Sequence, residues 1–231
     1  MISVIIPTYN ETENIANTIT HISNATDAPQ LHEIIVADGG STDDTIKKAE
    51  HSGAKIIISK KARAAQMNAG AAASSSPILY FLHADALPPV GFSKDIFNEI
   101  DKENTSGCYR LSFNYQHWFL KANCWFTRFN INAVRFGDQS LFVTKEVFTK
   151  SGGFNEKLVM MEDQEIIHRL KKYGKFVVMN GAVTTSARKY LDNGIYRMQL
   201  IFFRIWFLYY LGYSQERLLK LHRKLIHKHK L

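Results

Sequence analysis

The sequence is short of cysteine, of glycine-rich nucleotide signatures, of long apolar runs and of acidic charge, and each shortage removes a class of protein. Its two cysteines, Cys108 and Cys124, are too few and too badly spaced for a zinc site or a disulfide framework. Ordinary packing thiols in a reducing, cytoplasmic setting are expected instead. No GxGxxG follows the first strand-like segment and no Walker A sequence occurs, so the ordinary dinucleotide and P-loop readings lose their main support. The chain begins directly on Ile2-Ser3-Val4-Ile5-Ile6, without a basic region followed by an apolar one, and no secretory signal is expected. The most apolar segment, Met198 through Leu211, is shorter than the roughly 20 residues a membrane span needs, and Arg204 stands near its middle. An ordinary transmembrane helix is therefore disfavoured.

Acidic residues, 21 against 29 Lys and Arg, leave a formal charge of +8. Such a balance suits nucleic acid, anionic lipid or phosphorylated ligands. Here it is local: Lys220, Arg223, Lys224, Lys228 and Lys230, with His222, His227 and His229 among them, crowd the C-terminus. A basic tail of this kind speaks for a surface contact rather than a catalytic pocket, and no nucleic-acid partner is expected. The aromatic segment before it is expected to pack on the main domain. The alternative is peripheral contact at the inner face of a membrane, aromatic helix and lysines together.

What is present is a chain of 231 residues, 45% hydrophobic and 22% charged, which suits one globular domain with a sizeable core and an appendage. Val4-Ile5-Ile6-Pro7 reads as a buried strand followed by the loop Thr8-Tyr9-Asn10-Glu11. Thr12 is expected to cap a helix running through Ile15, Ile19 and Ile22. His32 to Ala37 repeats the strand and ends in Asp38-Gly39-Gly40-Ser41-Thr42-Asp43, where Ser41 or Thr42 can cap the next helix. Lys55-Ile56-Ile57-Ile58 is a third strand, and the alanine-rich stretch from Arg63 to Ala73 a helix. Four strands separated by helical segments within the first ninety residues predict an α/β fold with a mostly parallel sheet flanked by helices.

The fourth of these strands, Leu79-Tyr80-Phe81-Leu82, breaks off into His83-Ala84-Asp85 and two nearby prolines. Such a strand end is where open α/β sheets present ligand-binding groups. Burying a lone carboxylate there would cost several kcal/mol, so Asp85 is expected to meet solvent, a cation or a donor. A plain turn-initiating aspartate is the structural alternative. Further along, an amphipathic helix is predicted from Phe92 to Ile100, strands around Cys108 to Phe113 and Leu141 to Val143, and a turn at Gly152-Gly153-Phe154. A helix opens on Glu162-Asp163, with acids at its start, bases at its end and Gly174 beyond.

Taken in order, Ser3-Val4-Ile5-Ile6-Pro7-Thr8-Tyr9-Asn10-Glu11, Asp38-Gly39-Gly40-Ser41-Thr42-Asp43, His83-Ala84-Asp85 and Glu162-Asp163 resemble the family 2 glycosyltransferases of the GT-A fold. Arg63 to Ala71, Phe81 to Asp85, Gly137-Asp138-Gln139 and Thr185-Ser186-Ala187-Arg188 further resemble its small bacterial branch called selenodomain-associated transferase 2. The resemblance covers the chain to about Arg188. It implies a GT-A domain over residues 1–190, a Rossmann-like sheet flanked by helices, with residues 191–231 as a C-terminal aromatic helix and basic tail.

The implied activity is transfer of a sugar from a nucleotide diphosphate donor to an unidentified acceptor hydroxyl, with inversion. The resemblance places Pro7, Thr8, Tyr9, Glu11, Asp38, Gly39, Arg63, Asn68, His83, Ala84, Asp85 and Arg188 on the donor side. Asp38 would accept from a nucleobase N–H; the alternative is an Asx cap of the following helix. Arg63 and Arg188 can clamp phosphate oxygens through their planar forks, or simply stand in solvent. A divalent cation, Mn²⁺ or Mg²⁺, would offset charge on the leaving diphosphate, with Asp85 as ligand. Where the family often carries Asp-x-Asp, this chain has His83 at the first position, a softer ligand that suits Mn²⁺ better or only orients Asp85. Asp163 would act as general base, supported by Glu162, while Gly137, Asp138 and Gln139 are candidates for the acceptor side. A nucleotidyltransferase releasing pyrophosphate, or a non-catalytic nucleotide-sugar sensor, would need much the same donor site.

Overall fold

A computed structural model of the chain describes residues 1–26, 30–135 and 139–226. Its first half winds strand and helix alternately: β1 (Ile2–Thr8), α1 (Ile15–Asn24), β2 (Leu31–Asp38), α2 (Thr45–His51), β3 (Lys55–Ile58), α3 (Arg63–Ala73) and β4 (Ile78–Phe81). Strands β3, β2, β1 and β4 lie side by side and parallel, so their C-terminal ends share one edge. The continuous apolar runs follow from burial on both faces. Val4 and Ile6 of β1 face a core shared with Ile15, Ile19 and Ile22 of α1, while Ile5 faces a second core with Ala64, Met67 and Ala71 of α3. Helix α3 lies so close to β1 that a Cβ on Gly70 would run into the Ile5 side chain.

The second half adds the antiparallel pairings of the sheet. After the short β5 (Ala86–Leu87) and α4 (Phe92–Asp101) come β6 (Asn104–Phe113), α5 (Trp118–Phe126), β7 (Leu141–Thr144) and α6 (Lys145–Lys150). Strand β7 pairs antiparallel with β4 and with β6, and β5 antiparallel with β8 (Lys175–Thr185), which itself runs parallel to β6. The eight-stranded sheet, ordered β3-β2-β1-β4-β7-β6-β8-β5, thus joins four parallel pairings and three antiparallel ones. Strand β8 escapes a reading of apolar runs because Asn180 and Gly181 interrupt its middle and its burial alternates irregularly.

Two helix starts differ from expectation. Helix α1 begins at Ile15 after Asn14, without a side-chain cap, and the Thr12 N–H reaches Asp43 at 3.4 Å. Helix α2 begins only at Thr45, since the Ser41 hydroxyl is drawn to Asp38 and the Thr42 N–H to Asn10.

Helix α7 (Glu162–Leu170) is followed, beyond β8, by α8 (Arg188–Asn193), α9 (Ile195–Tyr210) and α10 (Gln215–Leu225). These close a third core with Leu120 of α5, Met160, Tyr190, Met198, Ile205 and Leu218. Helix α8 straddles the boundary expected at residue 190, and Ala187 and Tyr190 already belong to this helical cluster. Only the inner face of α9 is buried; its other side stands in solvent, so the expected packing on the main domain accounts for half of it.

Candidate active site

The C-terminal edge shared by β1, β2 and β4 gathers most of the singled-out residues. Thr8 and Asp38 are register partners at the ends of β1 and β2. Asp38 is fully buried and its carboxylate accepts four hydrogen bonds: Thr8 Oγ1 at 2.9 Å and Ser41 Oγ at 2.6 Å on Oδ2, the Gly40 and Ser41 N–H groups at 2.9 and 2.7 Å on Oδ1. That uses about the full acceptor capacity of a carboxylate. In this structure Asp38 ties the loop together, close to the Asx alternative.

Neighbouring bonds sew this loop to the one after β1. Asn10, in the left-handed region at φ 53°, offers its N–H to Ser41 Oγ and accepts from the Thr42 N–H; the Glu11 N–H reaches Thr45 Oγ1 at 2.7 Å. Buried Gln66 donates through Nε2 to the carbonyls of Thr8 and Ala37 at 2.6 and 2.9 Å, anchoring both strand ends to α3. Gly39 is packed against Gln66 and Lys61, with room for no larger residue unless its neighbours shift. Pro7 lies buried within β1. Half-buried Tyr9 carries the Lys61 ammonium 3.8 Å over its ring. Neither Gln66 nor Lys61 stood out in the sequence, where an amide in an alanine-rich helix and a lysine in a loop carry no local signal.

At the end of β4 the chain turns through His83, Ala84 and Asp85, the Ala86 N–H closing on His83 O at 3.2 Å. Ala84 is buried and its carbonyl accepts from Thr18 Oγ1 at 2.6 Å, which fixes the turn to α1. His83 and Asp85 are half-buried. Pairing of Ala86 with Thr185 brings the start of α8 alongside, where Arg188 donates to Glu13 at 2.8 Å across the opening. A small pocket beside the turn is lined by Phe81, His83, Ser140, Leu141, Phe154, Asp163 and Ile167. The structure thus joins the acidic strand end to the half-buried Asp163, some eighty residues further on.

Asp163 is set in place by its surroundings. Met161, immediately before α7, adopts a left-handed conformation at φ 69°, which costs an L-residue about 1–2 kcal/mol. Glu162 is 1% exposed and meets Arg63 Nε, at the start of α3, at 2.9 Å. Gln215, at the start of α10, accepts from the N–H groups of Val159 and Met160, both at 3.0 Å. Tyr210 at the end of α9 donates to Gln164 Oε1 at 3.2 Å. Burial, with the nearby Glu165 and Glu162 charges, holds the Tyr209 phenol above its usual range. The C-terminal helices therefore brace α7 and the loop before it, which no feature of Gln215 itself announces.

The ion pair yields a prediction. Arg63→Leu strands a buried carboxylate, and removing one partner of such a pair costs about 3–5 kcal/mol. The low end is expected because Arg63 keeps 30% of its side chain in water. Urea unfolding measures the loss, and Arg63→Leu combined with Glu162→Leu should recover part of it.

Two expected site residues are occupied elsewhere. The Asn68 amide donates to Phe154 O at 2.9 Å and to Glu156 at 3.0 Å, and accepts the Phe154 N–H, so it clamps α3 to the Gly-Gly-Phe turn. Gln139 is 1% exposed and donates to Tyr109 O at 3.0 Å, facing β6 instead of an open acceptor side. Gly137 and Asp138 lie outside the described residues.

Among the described residues no group of three or more His, Cys, Asp or Glu side chains could enclose a metal. Mg²⁺ and Mn²⁺ at phosphate sites need no such cage, because one or two protein ligands and the substrate phosphates complete the shell. Asp85, with His83 in the same turn, fits that requirement.

Comparison with known proteins gives the family and the fold. The family model described as Glycosyl transferase family 2 matches residues 3–154, more than half of the chain. The glycosyltransferase AglE of Haloferax volcanii is 35% identical over 94 residues, covering 38% of this chain and 31% of AglE. A mannosyltransferase of Pyrobaculum calidifontis, solved with GDP-Man and Mn²⁺, superposes with a TM-score of 0.68 at 17% identity, covering 87% of this chain and 59% of that one. S. aureus TarS in complex with UDP gives 0.65 at 17%, covering 80% and 60%. The two structures share the fold.

Proposed function

Because the chain belongs to glycosyl transferase family 2 and has its GT-A architecture, we propose that it is an inverting enzyme in which Asp163 takes the proton of an acceptor hydroxyl. The observation that supports this reading is the small pocket lined by both His83 and Asp163; in it the His83 turn would take the diphosphate and Asp163 the acceptor hydroxyl. As the acceptor oxygen bonds to the anomeric carbon, its proton passes to the Asp163 carboxylate, and the bond from that carbon to the diphosphate oxygen breaks on the far face. One displacement gives inversion, and a nucleoside diphosphate leaves with the electron pair. Arg63 and Glu162 position Asp163; neither needs to touch the reacting atoms. Arg188, held across the opening by Glu13, supplies positive charge near the diphosphate. A divalent cation held by Asp85 and His83 would neutralise charge on the departing phosphates.

The stitched loops of Thr8 to Glu11 and Asp38 to Thr45 form the nucleotide side in this reading, with the Tyr9 ring available to the base and Asp38 shaping the loop. The donor is a nucleotide diphosphate sugar, as the relatives' UDP and GDP-Man complexes suggest. A hydrolysis screen of UDP- and GDP-sugars, with and without Mn²⁺ or Mg²⁺, tests the reading. Release of nucleoside diphosphate from one donor class is expected; pyrophosphate release from a nucleoside triphosphate and a sugar phosphate would convert it into a nucleotidyltransferase.

A further inference from the structure

We propose that the outer face of α9, with the exposed start of α5 and the basic side of α10, is a docking surface for an anionic lipid bilayer. Helix α9 is two-sided. Met198, Ile201 and Ile205 are buried in the third core, whereas Tyr196, Leu200, Phe203, Phe207 and Tyr210 are between 51% and 68% exposed. Their spacing of four, three, four and three residues aligns them in one stripe along the helix. Trp118 of α5, 68% exposed, extends the stripe through its contact with the Tyr196 ring at 6.3 Å. A continuous apolar strip of this length is beyond the scattered exposed side chains of an ordinary surface.

Two features select the occupant. Trp and Tyr, with an apolar body and a polar tip, are the side chains that settle at headgroup level. From residue 195 to 226 the chain carries six Lys and Arg against the single acid Glu216. Arg204 stands exposed beside the stripe, and Arg217, Lys220, Arg223 and Lys224 line the exposed side of α10. Pairing with a second copy would bring these cations together with almost no acid to meet them, while lipid phosphates offer the complementary charge. At 16 residues α9 is too short to cross a bilayer, and among the described residues no helix is long and apolar enough to do so. The helix therefore lies in the interface plane, apolar side inward. Through Tyr210 and Gln164 the docked helix adjoins the one that carries Asp163.

Flotation of the full chain tests this with vesicles of phosphatidylcholine alone and of phosphatidylcholine mixed with phosphatidylglycerol. Recovery with the anionic vesicles at low salt is expected, falling at least about tenfold with the neutral ones or at high salt. Phe203→Ser with Phe207→Ser should lower recovery by a similar factor without changing the circular dichroism spectrum, because both side chains are in solvent. Replacing Arg217, Lys220, Arg223 and Lys224 by Gln should do the same. Failure of the parent protein to float with anionic vesicles at low salt overturns the proposal, as does equal recovery of parent and variants. A concentration-dependent dimer that the serine variant abolishes, without flotation, would assign the face to a second copy. Nucleotide-sugar turnover does not enter any of these readouts.

Discussion

Asp163→Asn is expected to slow sugar transfer by about 10²–10⁴-fold while donor affinity stays near that of the parent protein. The amide keeps the size of the carboxylate and its hydrogen-bonding reach but cannot take the acceptor proton. The buried Arg63–Glu162 pair at 2.9 Å and the Gln215 bonds to residues 159 and 160 hold the loop independently of this side chain, so the substitution should leave its position intact. Were Asp163 only a favourable charge at the start of α7, the change would cost about 0.3–1 kcal/mol of stability and leave turnover close to normal. Single-turnover transfer and calorimetric donor binding, measured on the same preparation, separate the two cases. Near-parental transfer by the folded variant would remove Asp163 from the chemistry.

Asp85→Ala should act in the turn after β4. Its effect is expected in binding: the affinity for a nucleoside diphosphate in the presence of Mn²⁺ should fall by at least about 10–100-fold, a loss that even an outer-shell partner of a metal site produces. Affinity measured in chelator should change little. The contrast matters because Asp85 sits in a turn already fixed by the Ala84 carbonyl to Thr18 and by the Ala86 N–H to His83, so the backbone should survive loss of the carboxylate. Calorimetric titration with and without Mn²⁺ reads both affinities. Equal metal-dependent binding by the parent and by a folded Asp85→Ala would place the cation elsewhere or dispense with it.

Asp163 lines the pocket beside the β4 turn and Asp85 belongs to that turn, yet the two residues are not equally legible in the sequence. Asp85 follows an apolar strand and precedes breakers, which marks a strand end on local grounds. Asp163 carries only the local signature of an acid in the first turn of a helix; the order of motifs along the chain gave it a catalytic meaning. Some polar side chains have distant partners that no local pattern announces: Asn68 clamps to Phe154, and Gln139 donates to Tyr109 O. An amide or hydroxyl looks the same in sequence whether its partner is a ligand or a backbone group many residues away.

The amino-acid sequence by itself determined the parallel half of the sheet, since strands buried on both faces carry near-continuous apolar runs, as in Val4–Pro7 of β1, Ile34–Ala37 of β2 and all of β4. It also determined helix α3, residue for residue, through its run of alanines, and the start of α7 through its acids. Tertiary structure alone decided the antiparallel pairings, because β5 and β7 take their direction from the neighbours they meet and not from their own pattern. It decided that Asp38 knots its loop, that Gln215 supports the residues before Asp163, and that α9 turns its aromatic stripe outward. Side-chain periodicity records which positions are buried. Which groups meet across tens of residues depends on how the buried surfaces pack, and that is settled only when the whole chain closes on its cores.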